Sequence, residues 1–152
     1  MNTYIGELSF SNKIELLTKV LYNNQRRYNA DIELDPIKFR QLIEESEPKL
    51  RGFLDEMLNI IPDNRSFSNR ESAKKSIVGY CYLLAGLRNK FVNSFKLDLG
   101  LYLAENGTSA TAIEVLSNAG ISASYKTIEN YKKKIKANHP KEIENYFANN
   151  VS

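Results

Sequence analysis

The stretch IVGYCYLLAGL, Ile77–Leu87, constrains the fold more than any other part of the chain. It is the longest apolar run, yet it falls well short of the ~20 residues that a bilayer-spanning helix needs. It therefore belongs in a protein core. Just upstream, SNRE (Ser68–Glu71) has capping-box spacing, in which Ser68 accepts from the third amide and Glu71 reaches back. Together they predict a long helix through Ile77, Tyr80, Leu84, Leu87 and Phe91. Being apolar nearly all round, it should be the central, buried element. Gly79 and Gly86 cost helix stability and predict close approach of a neighbouring helix.

The rest of the chain reads as further helices around it. Ile14, Leu17, Val20, Leu21 and Tyr28 fall at helical spacing and predict an amphipathic helix over Ser11–Tyr28. Asp35-Pro36 is a helix start, with Asp as N-cap and Pro in the first turn, after which Ile37, Leu42 and Ile43 line one face. Pro48 opens a helix with the apolar stripe Leu50, Phe53, Leu54, Met57, Leu58 and Ile61, closed by Pro62. The alternating pattern of strands is missing. The fold class expected is all-α: a multi-helix bundle over 1–95 and a trihelical, helix-turn-helix-like segment over 96–152, packed on the same core. Ile61–Phe67 is the best candidate linker, but the apolar helix after it needs partners on several sides.

Composition narrows the setting. An apolar content of 42%, with nine Tyr and seven Phe, is too high for a disordered chain. Met1 leads into polar residues with no signal-peptide core, and the single cysteine, Cys81, leaves no room for a disulfide. An intracellular protein is expected, without membrane attachment.

Charge points to the C-terminal third. Residues 1–120 balance fifteen Lys/Arg against fifteen Asp/Glu, so the whole net charge of +3 comes from residues 121–152. Within Ile121–Lys136 there are five Lys and one Glu. Such concentration is an electrostatic footprint for a polyanion. Here three short helices are expected. The first places Leu97, Leu101 and Leu103 near one face and stops at Asn106-Gly107. The second begins at the capping hydroxyls Thr108 and Ser109, turns Ala112, Ile113 and Leu116 inward and stops at Gly120. The third turns Ile128, Tyr131 and Ile135 inward and ends by Pro140. Three helices, the last two joined by a glycine turn, describe a helix-turn-helix.

In that arrangement the last helix enters the major groove of double-stranded DNA. Lys126, Asn130 and Lys133 lie opposite the apolar arc and would approach bases, asparagine being suited to adenine. Lys132, Lys134 and Lys136 would contact phosphates, and Ser122, Ser124 and Thr127 at the N-terminal end could hold another. The spacing is unusual: Ile128 follows Gly120 by eight positions, where a tight helix-turn-helix has about six. Either the turn is two residues longer, or Ile121 and Tyr125 supply the inward contacts. Plainer readings stand beside this one. A lysine run is usually a solvated face, Ser124 and Thr127 can be simple caps, and Tyr125 and Tyr131 can be core.

The stretch from Cys81 to Ile135 also resembles a family of large, transposon-derived proteins of mycorrhizal and mushroom-forming fungi. The matching elements are Cys81, Leu84-Ala85, Arg88-Asn89, Gly100–Leu103, Gly107, Ile113-Glu114, Leu116, Gly120, Ser122, Ser124-Tyr125 and Thr127. The resemblance covers about sixty residues and implies a helix-turn-helix-like region ahead of a larger, transposase-like domain. Any catalytic carboxylates of that domain would lie outside this chain.

Nothing in the sequence points to an enzyme. His139 is the only histidine and Cys81 the only cysteine, too few for a zinc site or a Cys/His dyad, and no glycine-rich phosphate loop is present. The acidic residues Glu44, Glu45, Glu47, Asp55 and Glu56 read as solvated surface. The expectation is a nuclear DNA-binding module without cofactor, metal or small-molecule substrate, able to homodimerise. The alternative is a helical protein–protein interaction or dimerisation module that binds no nucleic acid. Single-stranded RNA binding, with Tyr125 as a stacking platform, ranks below both because aromatics and lysines are not interleaved.

Overall fold

The computed structural model describes residues 7–27 and 30–135, and among them the protein is all-α, without a strand. The helices are α1 (Phe10–Arg26), α2 (Pro36–Ser46), α3 (Phe53–Leu58), α4 (Phe67–Arg88), α5 (Ser94–Glu105), α6 (Ala110–Asn118) and α7 (Tyr125–Ile135). Among the described residues no helix is long and apolar enough to cross a membrane. The chain divides into two compact units, Met1–Val92 and Asn93–Ser152.

In the first unit the predicted stripe of α1 is its core face: Ile14, Leu17, Val20 and Leu21 are all buried, while Tyr28 lies outside the described residues. Asp35 caps α2 by accepting from the Lys38 amide at 3.1 Å, with Pro36 in the first turn. The inward face of α2 differs from expectation. Phe39 and Ile43 are fully buried, whereas Ile37 is exposed. The helix expected from Pro48 to Ile61 is broken. Pro48–Leu50 form a 3-10 turn, Gly52 takes a left-handed φ of 84°, and only then does α3 begin. That φ is accessible to glycine at little steric cost, so the chain turns there and still buries Leu50, Phe53 and Leu54.

Four of the five acidic residues of this region have partners, while Glu45 is simply exposed. Glu44 accepts from the Gly52 amide at 3.2 Å and Glu47 from that of Lys49 at 3.1 Å. Arg40–Asp55 and Lys13–Glu56 are ion pairs at 2.7 and 2.9 Å.

Helix α4 begins two residues earlier than the capping-box reading has it. Ser66, not Ser68, is the N-cap, its Oγ accepting from the Asn69 amide at 3.3 Å. Nor is α4 buried all round. Ile77, Val78, Gly79, Cys81, Tyr82 and Ala85 face the core, but Tyr80 is 55% and Leu87 80% exposed, and Phe91 beyond the helix is exposed too. The helix contributes one wide face to the core, chiefly against α1, and leaves the other uncovered. Burial pushes the Cys81 thiol up to about 12, so it stays protonated and unreactive. An extended segment before α2 completes the core with Ile32 and Leu34, fixed where the Tyr82 hydroxyl accepts from the Glu33 amide at 2.8 Å.

Candidate nucleic-acid interface

The second unit is a three-helix assembly in which α5, α6 and α7 each touch the other two. Two glycines shape its connections. Gly107 and Gly120 have φ values of 85° and 80°, and each closes its helix with paired reverse hydrogen bonds. Gly107 and Thr108 donate to Ala104 and Leu103, and Gly120 and Ile121 donate to Ser117 and Leu116. This is the Schellman pattern, which satisfies carbonyls that a helix end leaves open. Ser109 then caps α6, accepting from the Ala112 amide at 3.1 Å, as its position after Gly107 predicts.

The α6–α7 connection runs over residues 119–124, so the eight-residue spacing reflects a longer turn. Ile121 and Tyr125 do not supply the inward contacts, because both are exposed. Ile128 does, at 0% exposure, together with Ile113 and Leu101. A backbone bond from Ala123 to the Lys96 carbonyl at 3.2 Å ties the turn to α5. Helix α7 packs tightly on α5 at Gly100, where an added Cβ would overlap Cδ1 and Cγ1 of Ile128.

Alanine at Gly100 gains roughly 1 kcal/mol of helix propensity but forces overpacking that costs about 1–3 kcal/mol. The net expectation is a loss of about 1 kcal/mol, visible as a lower denaturant midpoint, and recovered when Gly100→Ala is combined with Ile128→Val. A midpoint that rises with Gly100→Ala alone would show the contact to be slack.

The residues singled out in the sequence separate into three groups. Lys126, Thr127, Asn130, Lys133 and Lys134 are exposed on α7, and Lys126, Lys133 and Lys134 make no ion pair among the described residues. Ser124 and Thr127 form the N-terminal cap. Ser124 Oγ accepts from the Thr127 amide at 3.2 Å and donates to the Thr127 hydroxyl at 2.8 Å. Ser122 is buried at 3% exposure, donating to the Ala123 carbonyl at 3.0 Å with the Ile113 carbonyl at 3.5 Å. Its hydroxyl belongs to the turn. Lys132 is half-buried and lies 3.3 Å from Glu129 and 4.0 Å from Glu105. Lys136 lies outside the described residues.

One residue that sequence reasoning passed over completes the end of α7. Glu114, on α6, accepts from the Tyr125 amide at 2.7 Å. A carboxylate at a helix N-terminus answers the positive end of the dipole. No local spacing announces it, because the partners are eleven residues apart and meet only through the turn. With Glu114 on Tyr125 and Ser124 on Thr127, two first-turn amides that could have held a phosphate are already engaged. On the other side, Tyr131 donates to the buried Asp98 carboxylate at 3.4 Å, which sets the inner edge of α7 against α5.

What remains outward on α7 is a face with the exposed Lys126, Asn130, Lys133 and Lys134, bordered by Glu129. Glu129, the only acid in the α7 span, lies one turn from both Lys126 and Lys133 and pairs with Lys132 at 3.3 Å. No protein-family model, curated protein or solved structure matches the chain.

Proposed function

We propose that this protein is a double-stranded DNA-binding module, with α7 as the helix that enters the major groove. The observation that carries this reading is the outward face of α7. It presents three lysines that make no ion pair among the described residues, and one exposed asparagine, on a helix whose opposite side is fixed by the buried Ile128. Lysines there suit phosphate oxygens, and Asn130 suits the donor–acceptor pair of adenine. Lys126 and Asn130 lie one turn apart near the N-terminal half of α7, the part of a recognition helix that reaches base edges. Ser122 drops out of the contact set because its hydroxyl is committed to the turn. The module would act in the nucleus as the targeting region of a transposon-derived protein. That part rests on the resemblance of residues 81–135 alone.

The test is anisotropy of a labelled mixed-sequence duplex with the full chain at about 50 and 200 mM salt. With three phosphate contacts, affinity is expected to fall roughly 40-fold between them. Absence of binding at the lower concentration, with the protein folded, would overturn the proposal.

A further inference from the structure

The interleaving of aromatic and basic side chains that α7 lacks occurs in the first unit, where the end of α1 meets the turn after α4. The Arg26 guanidinium carbon lies 5.7 Å from the centre of the Tyr22 ring, one turn back, and 5.5 Å from that of Phe91. The Lys90 ammonium lies 5.4 Å from the same Phe91 ring. Phe91 is fixed through its backbone. Its amide donates to Asn89 Oδ1 at 2.9 Å, and its carbonyl accepts from Gln25 Nε2 at 2.6 Å. The next residue, Val92, is buried, yet the Phe91 side chain stays 49% exposed. Cations held against rings gain position without losing charge, which an ion pair would neutralise. Arg26, the adjacent exposed Arg27 and Lys90 make no ion pair among the described residues. Arg88, by contrast, is paired with Glu15 at 3.5 Å.

From this arrangement we propose that the Arg26–Phe91–Lys90 cluster binds single-stranded nucleic acid, with Phe91 as the surface on which a base stacks and Arg26 and Lys90 as contacts to its phosphates. The charge selects a polyanion, and the ring selects among polyanions. A duplex keeps its bases stacked on one another, so an exposed ring gains nothing from it. A single strand offers a π-face with every base, and stacking on an aromatic or a guanidinium plane is the common way proteins hold one. An anionic membrane fits less well. An interfacial anchor lays a continuous apolar helix face into the acyl boundary, whereas Phe91 sits on a turn with two cations against it. The cluster lies wholly in the first unit and owes nothing to the role given to α7.

The test is anisotropy of labelled oligo(dT) and oligo(U) with the full chain across a salt series. At about 0.7 per phosphate the two cations contribute a slope of about 1.4, so Arg26→Ala/Lys90→Ala should weaken binding about 25-fold at 0.1 M salt. Phe91→Ala should lower affinity about fivefold or more at an unchanged slope, and Phe91→Trp should restore it. All three positions are exposed, and unchanged helical circular dichroism checks that the variants fold. Lys126→Ala/Lys133→Ala/Lys134→Ala is expected to keep most of the single-strand affinity. Either strand bound through the cluster supports the proposal, and the tighter of the two identifies it as DNA or RNA. Absence of binding, binding indifferent to Arg26→Ala/Lys90→Ala, or a Phe91→Ala variant equal to the wild type would each overturn it. So would loss of binding in the α7 triple variant alone, which would place the strand on α7. Retention on vesicles of phosphatidylserine and phosphatidylcholine in equal parts, with neither oligonucleotide bound, would overturn it in favour of a membrane surface.

Discussion

Replacing Ile128 by alanine is expected to open the C-terminal three-helix unit. Ile128 is fully buried, sits directly over Gly100, and is the inward side chain through which α7 is held. Truncating a buried isoleucine costs about 2–5 kcal/mol, because the cavity it leaves is only partly filled by relaxation. The forty-three described residues of this unit correspond to a total stability of roughly 2–6 kcal/mol at ordinary values per residue. One substitution therefore removes most of it. Amide exchange read by mass spectrometry over α5–α7 is the direct measurement, with protection expected to fall about 100-fold or more. Duplex binding should be lost with it. Protection that barely changes would mean that Ile128 is not the centre of this unit.

The second large effect is electrostatic. In Lys126→Ala/Lys133→Ala/Lys134→Ala three lysines that make no ion pair among the described residues are removed from an exposed face, so little stability should change. If each neutralises one phosphate, each contributes a slope of about 0.9 to the salt dependence, or roughly eightfold in affinity at 0.1 M relative to 1 M salt. Together their loss weakens duplex binding by up to about 500-fold at 0.1 M and makes the slope shallower by about 3. Lys132→Ala is the internal comparison. Its ammonium is shared between Glu129 and Glu105, so its removal should alter the slope by clearly less than one. A triple variant whose slope matches the wild type would place any DNA contact elsewhere on the chain.

Several elements were readable before any coordinates because their causes are local. The α1 stripe, the Asp35-Pro36 start, and the stops at Gly107 and Gly120 each depend on residues within one turn of one another. The elements misread depend on choices between near-equivalents or on distance. Ser66 and Ser68 offer similar caps, and the earlier one is used. Gly52 sits within an apolar pattern that reads as one helix until the backbone has to turn. The apolar run of α4 carries Tyr80 and Leu87 on its outer side as well as Ile77 and Val78 on its inner one, so composition could not say which side would be covered. At the candidate interface the inward role of Ile128 and the exposure of the lysines follow from periodicity. The burial of Ser122, the pairing of Lys132 and the capping by Glu114 do not, because each needs a neighbour from another part of the chain.

Glu114 gives α7 a tethered competitor. Held on α6 and joined to α7 by a short turn, its carboxylate stands beside the Tyr125 amide at an effective concentration of the order of millimolar or more, set by the linkage rather than by solution. An external phosphate arriving at that amide has to displace it. A duplex would therefore meet a helix whose end is already neutralised and whose orientation is set before contact. The ordering of α7 would then be part of folding, not part of the free energy of association.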